Sequence, residues 1–380
     1  MPNTHYETLG VSENANAKEI KAAYRKLARR LHPDVNRSAD AADLMSSVNE
    51  AYEVLKTPES RATYDAFRRT GVSHAAPPPK PADSPGVRHL ISVVDVPSPI
   101  YCLGFSPNGA NIAMGCFDNV LRYVSAKTGN RLAEVRLEGG AVSHLRWATN
   151  RRVTAVGSSD RSVTVWQVND REVSKMRVKR AEWVSQALAG PPGTVYFGSV
   201  HRSVTCFNSN SGTIVFSRKL HTDSVTSLAL GADDTLLASG GNDQRVILWD
   251  ARTGRETAVI GPLRAPVARL AVSGTGSQLA VALVDHGIRI FDLQSGSLRH
   301  TLWGHEGPVE ALSYHPEGRL LASIGRDASV RLWNATTGEP VANLGGHSGP
   351  VEAVAFSHGG DLMAAGSIDR VLTLWRIESP

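Results

Sequence analysis

The sequence predicts a multi-domain chain, an all-α helical hairpin followed by an all-β seven-bladed propeller. Three observations carry that expectation. Up to about Phe67 apolar residues recur at helical spacing, from about Val87 the pattern reads as strand, and the second stretch repeats itself every 41 or 42 residues. At 380 residues the chain is long for one compact unit, and 41% hydrophobic against 20% charged residues is enough to bury real cores.

In the first segment, Asn16 followed by Glu19 forms a capping box that opens a helix. Ile20, Ala23, Leu27 and Leu31 then fall on one apolar stripe, while Lys18, Lys21, Arg25, Lys26, Arg29 and Arg30 occupy the other face. The helix stops at Leu31-His32-Pro33, because a residue before proline is pushed out of the α region. A second stripe, Leu44, Val48, Ala51, Tyr52 and Leu55, predicts an antiparallel partner, and Thr57-Pro58 supplies an N-cap and an N1 proline for a short last helix from Glu59 to about Phe67. The tripeptide His32-Pro33-Asp34 therefore sits at the tip of a hairpin. Residues 18–31 hold six basic side chains and one acidic, whereas the rest of the first seventy hold five basic and nine acidic, so this unit is polarised rather than charged. A basic face of this kind steers an acidic partner; the plainer reading is a solvated exterior. His32 can also cap the loop, Asp34 can bond turn amides, and Pro33 stiffens the tip.

The stretches Tyr6-Glu7-Thr8-Leu9-Gly10-Val11, Ile20-Lys21-Ala22-Ala23-Tyr24-Arg25-Lys26-Leu27-Ala28, His32-Pro33-Asp34, Asn49-Glu50-Ala51-Tyr52-Glu53-Val54-Leu55 and Tyr64-Asp65 resemble a J domain over nearly the whole segment. That resemblance implies a DnaK-type heat-shock chaperone as partner, stimulation of its ATP hydrolysis, and docking through His32, Pro33, Asp34, Tyr24, Lys21, Arg25, Lys26 and Arg29. The sequence departs from the family at Val35, where a basic residue is common and whose loss weakens docking, and at Met45, a near volume-conserving stand-in for phenylalanine. The Gly/Phe-rich region and four-fold CxxC module of the best-known DnaJ proteins are missing from the sequence. Delivery of a specific folded partner is therefore expected over generic holding of unfolded chains.

Residues 71–86 are rich in proline and small residues, and too poor in large apolar ones to offset the entropy of ordering, so they predict a semi-rigid spacer. The expected domains are 1–70, a linker at 71–86, and 87–380.

The repeat is set by a turn aspartate followed six residues later by an aromatic: Asp160 and Trp166, Asp243 and Trp249, Asp285 and Phe291, Asp327 and Trp333, Asp369 and Trp375. Asp118 with Val124 and His201 with Phe207 are degenerate members. Gly304-His305, Gly346-His347 and His221 each precede their aspartate by 22 residues, and Ser106-Pro107-Asn108-Gly109 and His315-Pro316-Glu317-Gly318 mark hairpin turns in phase. This resembles the WD-repeat family, whose period is about 40–45 residues with four strands per blade. The resemblance implies hydrogen-bonded tetrads at His221, Ser239, Asp243 and Trp249 and at His305, Ser323, Asp327 and Trp333; in the seventh repeat Ala365 takes the serine position. It also implies a partner-binding face at Tyr101, Phe117, Trp183, Asn242, Glu310, Arg326 and Glu352, with Ser143 and Ser159 at matching positions, and an unidentified protein client there. An aromatic cluster of Tyr101, Phe117 and Trp183 makes a hot spot; the alternative is that these rings pack against neighbouring blades. Residues 87–94 look like the outer strand that the last repeat lacks, and are expected to complete the seventh blade.

Cys102, Cys116 and Cys206 are odd in number and lack CxxC spacing, which excludes a disulfide framework and a zinc ribbon and suits a reducing compartment. No basic region followed by an apolar one opens the sequence, and no apolar run nears the roughly 20 residues of a membrane span, so a cytoplasmic chain without a membrane partner is expected. The net charge of +5 is mild, and no nucleic-acid partner is expected. Nor is there a Walker loop, a nucleophile elbow or a metal-spaced His/Asp cluster, so the chain is expected to be no enzyme and to need no cofactor or metal.

Overall fold

The computed structural model describes residues 5–12, 14–31, 48, 52, 55 and 86–378, apart from 94, 95, 139, 150, 160, 161, 170, 171, 180 and 181. The His32-Pro33-Asp34 tripeptide, the helix expected from Glu59, and residues 71–85 lie outside the described residues. The chain divides into two compact units, residues 1–78 and 79–380.

In the first unit, α1 spans His5–Leu9 and α2 spans Ala17–Leu31. The capping box is formed as the sequence predicts. Asn16 Oδ1 accepts the amides of Lys18 and Glu19 at 3.0 and 3.1 Å, and Glu19 Oε2 accepts the Asn16 amide at 2.8 Å. Donors that the first helical turn leaves unpaired are thereby satisfied. Tyr6, Leu9, Ala15, Ile20, Val48 and Leu55 form the buried core, with Tyr24, Leu27 and Tyr52 packed on its edge.

The second unit is a ring of seven four-stranded antiparallel sheets. Six are built from consecutive strands, at residues 100–136, 144–179, 184–218, 225–260, 267–302 and 309–344. Position in the blade decides composition. The second strand of blade four, Leu236–Gly241, is buried on both faces because neighbouring blades cover it, and it reads Leu-Leu-Ala-Ser-Gly-Gly; the outermost, Glu256–Ile260, is almost wholly exposed and carries glutamate and threonine.

Blade seven joins residues 351–377 to the strand Val87–Val93, which pairs antiparallel with Leu372–Ile377 from Val87 opposite Ile377 to Val93 opposite Leu372, with a bulge between His89 and Ile91. Val87 is buried with Trp375, Ile377 and Leu344, while Ile91 and Val93 pack beside Leu372 and Leu374. Closing the ring in this way covers the edge of Leu372–Ile377 that would otherwise template aggregation.

The recurring aspartate has a local reason. The residue after it holds a left-handed conformation in six blades, at Asn119, Arg202, Gln244, His286, Ala328 and Arg370, with φ between 59° and 75°. That costs energy for a residue with a Cβ. In five of these blades the aspartate carboxylate accepts the amide two residues on (Val120, Arg245, Gly287, Ser329 and Val371) and holds the turn. Blade three has His201 in its place, and there Ser199 Oγ accepts the amides of His201 and Ser203.

Candidate functional site

Among the described residues, the basic helix and the mouth of the propeller channel offer chemistry to a partner. On α2, Lys18, Lys21 and Lys26 are exposed. Arg25 and Arg29 share that helix, but their side chains lie outside the described residues. Tyr24 stacks on Tyr52 with ring centroids 4.1 Å apart and planes 12° from parallel, so it packs against the core while staying partly exposed.

At one end of the propeller the amide of the residue before each turn donates to the carbonyl of the residue before the innermost strand. Phe117 bonds Pro99, Val200 bonds Trp183, Asn242 bonds Ser224, Val284 bonds Pro266, Arg326 bonds Pro308 and Ile368 bonds Pro350, all between 2.9 and 3.1 Å. This repeated bond brings Tyr101, Phe117, Trp183, Asn242, Arg326 and Glu352 to the same end. Phe117, Trp183 and Tyr101 are 60%, 46% and 37% exposed, which sets aside the alternative of rings buried between blades. Tyr101 and Phe117 lie with centroids 5.9 Å apart, and Trp183 joins the ring from blade three. Asn242 and Arg326 are exposed. Glu310 is different: it is 9% exposed, its Oε2 takes Arg269 Nη2 at 2.7 Å, and its Oε1 takes Arg326 Nε at 2.6 Å. Its carboxylate ties blade five to blade six. Glu352 is half-buried at the mouth of a channel of about 970 Å³ lined by all seven innermost strands. Burial, then the charge of Glu310, push its carboxyl above the usual carboxylate range against the pull of Arg326 and Arg269.

The tetrads are present in blades four and six. Trp249 Nε1 donates to Ser239 Oγ at 2.9 Å, Ser239 Oγ lies 2.8 Å from His221 Nε2, and His221 Nδ1 lies 2.9 Å from Asp243. The order of protons follows from the chemistry. Indole only donates and carboxylate only accepts, so Nδ1 carries the imidazole proton and Nε2 accepts from the serine hydroxyl. Blade six repeats this, with Trp333 to Ser323 at 2.8 Å, Ser323 to His305 at 2.7 Å and His305 to Asp327 at 3.0 Å. In blades one and five, which lack the histidine, an arginine four residues after the aspartate takes over: Arg122 grips Asp118 and Arg289 grips Asp285, each through two nitrogens. In blade seven the chain is cut. His347 still meets Asp369 at 3.2 Å, but with Ala365 in the serine position His347 Nε2 and Trp375 Nε1 are buried without a hydrogen-bond partner among the described residues.

Comparison with known proteins gives the two units their relatives. The family model described as DnaJ domain matches residues 4–65, and the WD domain, G-beta repeat matches 89–124, which is the start of the propeller. The chain is a J-domain protein with a WD-repeat propeller. A further model, nucleolar protein 10-like, N-terminal domain, matches 185–375, half of the chain, and places blades three to seven in that family of propeller domains; its nucleolar description is said of that family's own protein. The J domain is 55% identical over 75 residues to the chaperone protein DnaJ of Rippkaea orientalis, a stretch that is 20% of each chain. It is 56% identical over 73 residues to that of Carboxydothermus hydrogenoformans, 19% of each, and 57% identical over 67 residues to that of Brevibacillus choshinensis, 18% of each. The chain thus spans about a fifth of the length of these curated relatives. Among the described residues no helix of the J-domain protein is long and apolar enough to cross a membrane, and no His/Cys/Asp/Glu group is placed to hold a metal.

Reading the WD register missed part of the exposed end. Val200, Val284 and Ile368 are 41%, 51% and 37% exposed at the position that Phe117 fills in blade one. The signal was available, since each directly precedes its turn residue. Arg269, which clamps Glu310, was also missed, because its partner lies 41 residues away in the next blade. Cys102, Cys116 and Cys206 are buried, and burial raises all three thiols, Cys206 to about 11, so they pack as small protonated hydrophobes.

The buried histidines and aspartates set an acid limit on the propeller. Burial depresses His221 and holds His144 down to about 4. For Asp327 and Asp369 burial works upward, but hydrogen bonds from His305 and Ser329 and from His347 outweigh it and hold the carboxyls below their ordinary value. A depressed histidine stabilises fully above its unfolded pKa of about 6.5, and that stability is lost as pH falls toward the folded value; a depressed carboxylate loses its contribution from about pH 4 downward. The unfolding temperature is therefore expected to be flat from pH 8 to 7 and to fall in two stages below 6.5 and below 4. A melt followed by circular dichroism checks this, and a temperature that rises on acidification to pH 5 contradicts it.

Proposed function

We propose that this chain is a J-domain co-chaperone that docks on a DnaK-type heat-shock chaperone and stimulates its ATP hydrolysis, while the propeller selects the protein brought to that chaperone. The observation that carries this reading is the DnaJ-domain match over residues 4–65, which includes His32-Pro33-Asp34 and the basic α2. On this reading Lys21, Arg25, Lys26 and Arg29 steer an acidic surface, and His32, Pro33 and Asp34 engage it at the hairpin tip. The six exposed apolar side chains at one end of the propeller suit a protein client, since aromatic and aliphatic anchors carry most of the energy of such interfaces. The chain acts by binding and has no catalytic role of its own, and its place of action is the cytoplasm.

Docking through α2 is checked by the paired substitution Lys21→Glu and Lys26→Glu. Both residues are exposed, so the fold is kept while two positive charges become negative. Affinity for an immobilised DnaK-type chaperone is expected to fall at least tenfold, and the salt dependence of binding to flatten. Unchanged affinity at low salt contradicts the assignment. A second reading, favoured by the departure from the J-domain pattern at Val35, is a WD-repeat scaffold that docks the chaperone without strong stimulation.

A further inference from the structure

The second residue of the innermost strand in six blades, and Ser143 just before that strand in blade two, stand at the mouth of the channel, and their polar groups are mostly spent. Ser143 Oγ donates to the Val156 carbonyl at 3.2 Å, Ser185 Oγ to the Val225 carbonyl, and Thr226 Oγ1 to the Val267 carbonyl at 2.6 Å. Ala268 has no polar group, and Glu310 is saturated by Arg269 and Arg326. Tyr101 and Glu352 remain. Neither makes a side-chain hydrogen bond or an ion pair among the described residues, and both line the same channel from the innermost strands of neighbouring blades. Phe117 leans on Tyr101 at 5.9 Å and is 60% exposed. The charges of Arg269 and Arg326 act on Glu352, while Arg269 Nη2 and Arg326 Nε donate to Glu310 instead.

An open carboxylate beside two aromatic rings is the chemistry that binds a cation, with the carboxylate accepting N–H bonds and the ring faces attracting positive charge. We infer that the channel mouth between blades seven and one receives a basic side chain, arginine or lysine, from a polypeptide partner, with Glu352 as acceptor and Tyr101 and Phe117 as walls. The inference rests on the reading of the propeller as a protein-interaction module and names the chemistry of what that module reads. Occupation also relieves Glu352, which is held half-buried without a donor.

The test is selection from a random peptide display library on the full chain, followed by calorimetry with the selected peptides. The selected peptides are expected to share one arginine or lysine. Replacing it by citrulline or norleucine, or replacing Glu352→Gln in the protein, is expected to weaken binding at least tenfold. Tyr101→Leu, which leaves the carboxylate in place, provides a second variant with an expected loss of several-fold. Selected peptides that lack a basic residue, or that bind Glu352→Gln as well as the wild-type chain, overturn the inference while leaving the module reading standing. If no peptide is enriched on the wild-type propeller, both fall.

Discussion

Ser323→Ala is expected to destabilise the propeller by about 3 kcal/mol, and Ala365→Ser to stabilise it by about 2 kcal/mol, because the two changes move one hydroxyl in opposite directions between equivalent blades. In blade six, Ser323 receives the Trp333 indole N–H and donates to His305, and all three side chains are buried. Removing the hydroxyl leaves two buried polar atoms unpaired, at about 1–3 kcal/mol each. Blade seven already shows that state, with His347 Nε2 and Trp375 Nε1 orphaned around Ala365. The backbone is in register for the repair. Ala365 pairs with Val354 and Thr373 as Ser323 pairs with Leu312 and Arg331, so a serine hydroxyl enters at the equivalent position. The looser His347–Asp369 bond, 3.2 Å against 3.0 Å in blade six, fits an imidazole fixed from one side only. Thermal unfolding checks both: a fall of roughly 5 °C for the first and a rise of a few degrees for the second are expected for a domain of this size. A fall for Ala365→Ser of the same size as for Ser323→Ala contradicts the assignment of that hydroxyl.

Deleting Val87–Val93 is expected to cost the propeller its cooperative fold. The loss removes Val87 from the cluster around Trp375 and Ile377, takes Ile91 and Val93 from the flank of blade one, and leaves Leu372–Ile377 as an open edge. Burying an aliphatic side chain contributes about 1.5–3 kcal/mol, so three of them approach the 5–15 kcal/mol that keeps a typical domain folded. The bare edge then offers unpaired amides and carbonyls to other chains. The deleted chain is expected to aggregate on expression, and a synthetic peptide spanning residues 86–95 to restore solubility and a cooperative melt. A deleted chain that stays monomeric and melts near the wild-type temperature rules out this strand as the closure of the ring.

Much of this architecture was legible because it is periodic. One turn residue per blade, an aspartate in six and His201 in blade three, spaced by 41 or 42 residues, gives the blade count, since it serves a local task in its own turn. The tetrads of blades four and six were legible for the same reason, their members lying within a single repeat. Bonds between blades were not. Nothing in the register distinguishes Glu310, which is consumed by two arginines, from Glu352, which is left open, although both hold the same position in adjacent repeats. Arg122 and Arg289 were equally silent as replacements for the missing histidines, because an arginine on a strand is ordinarily read as exposed and only its bidentate grip on the turn aspartate shows otherwise. In the J domain the capping box and the apolar stripe were local, and the stacked Tyr24–Tyr52 pair, which joins residues 28 apart, was not.

Single-turnover hydrolysis of ATP by a DnaK-type chaperone, measured alone, with the full chain, and with its His32→Gln variant, tests the central proposal most directly. The wild-type chain is expected to accelerate hydrolysis at least tenfold at saturating concentration, and His32→Gln to return it to the unstimulated rate with the propeller intact. Equal rates with and without the wild-type chain, or full stimulation by His32→Gln, contradict the co-chaperone reading and leave a scaffold in its place.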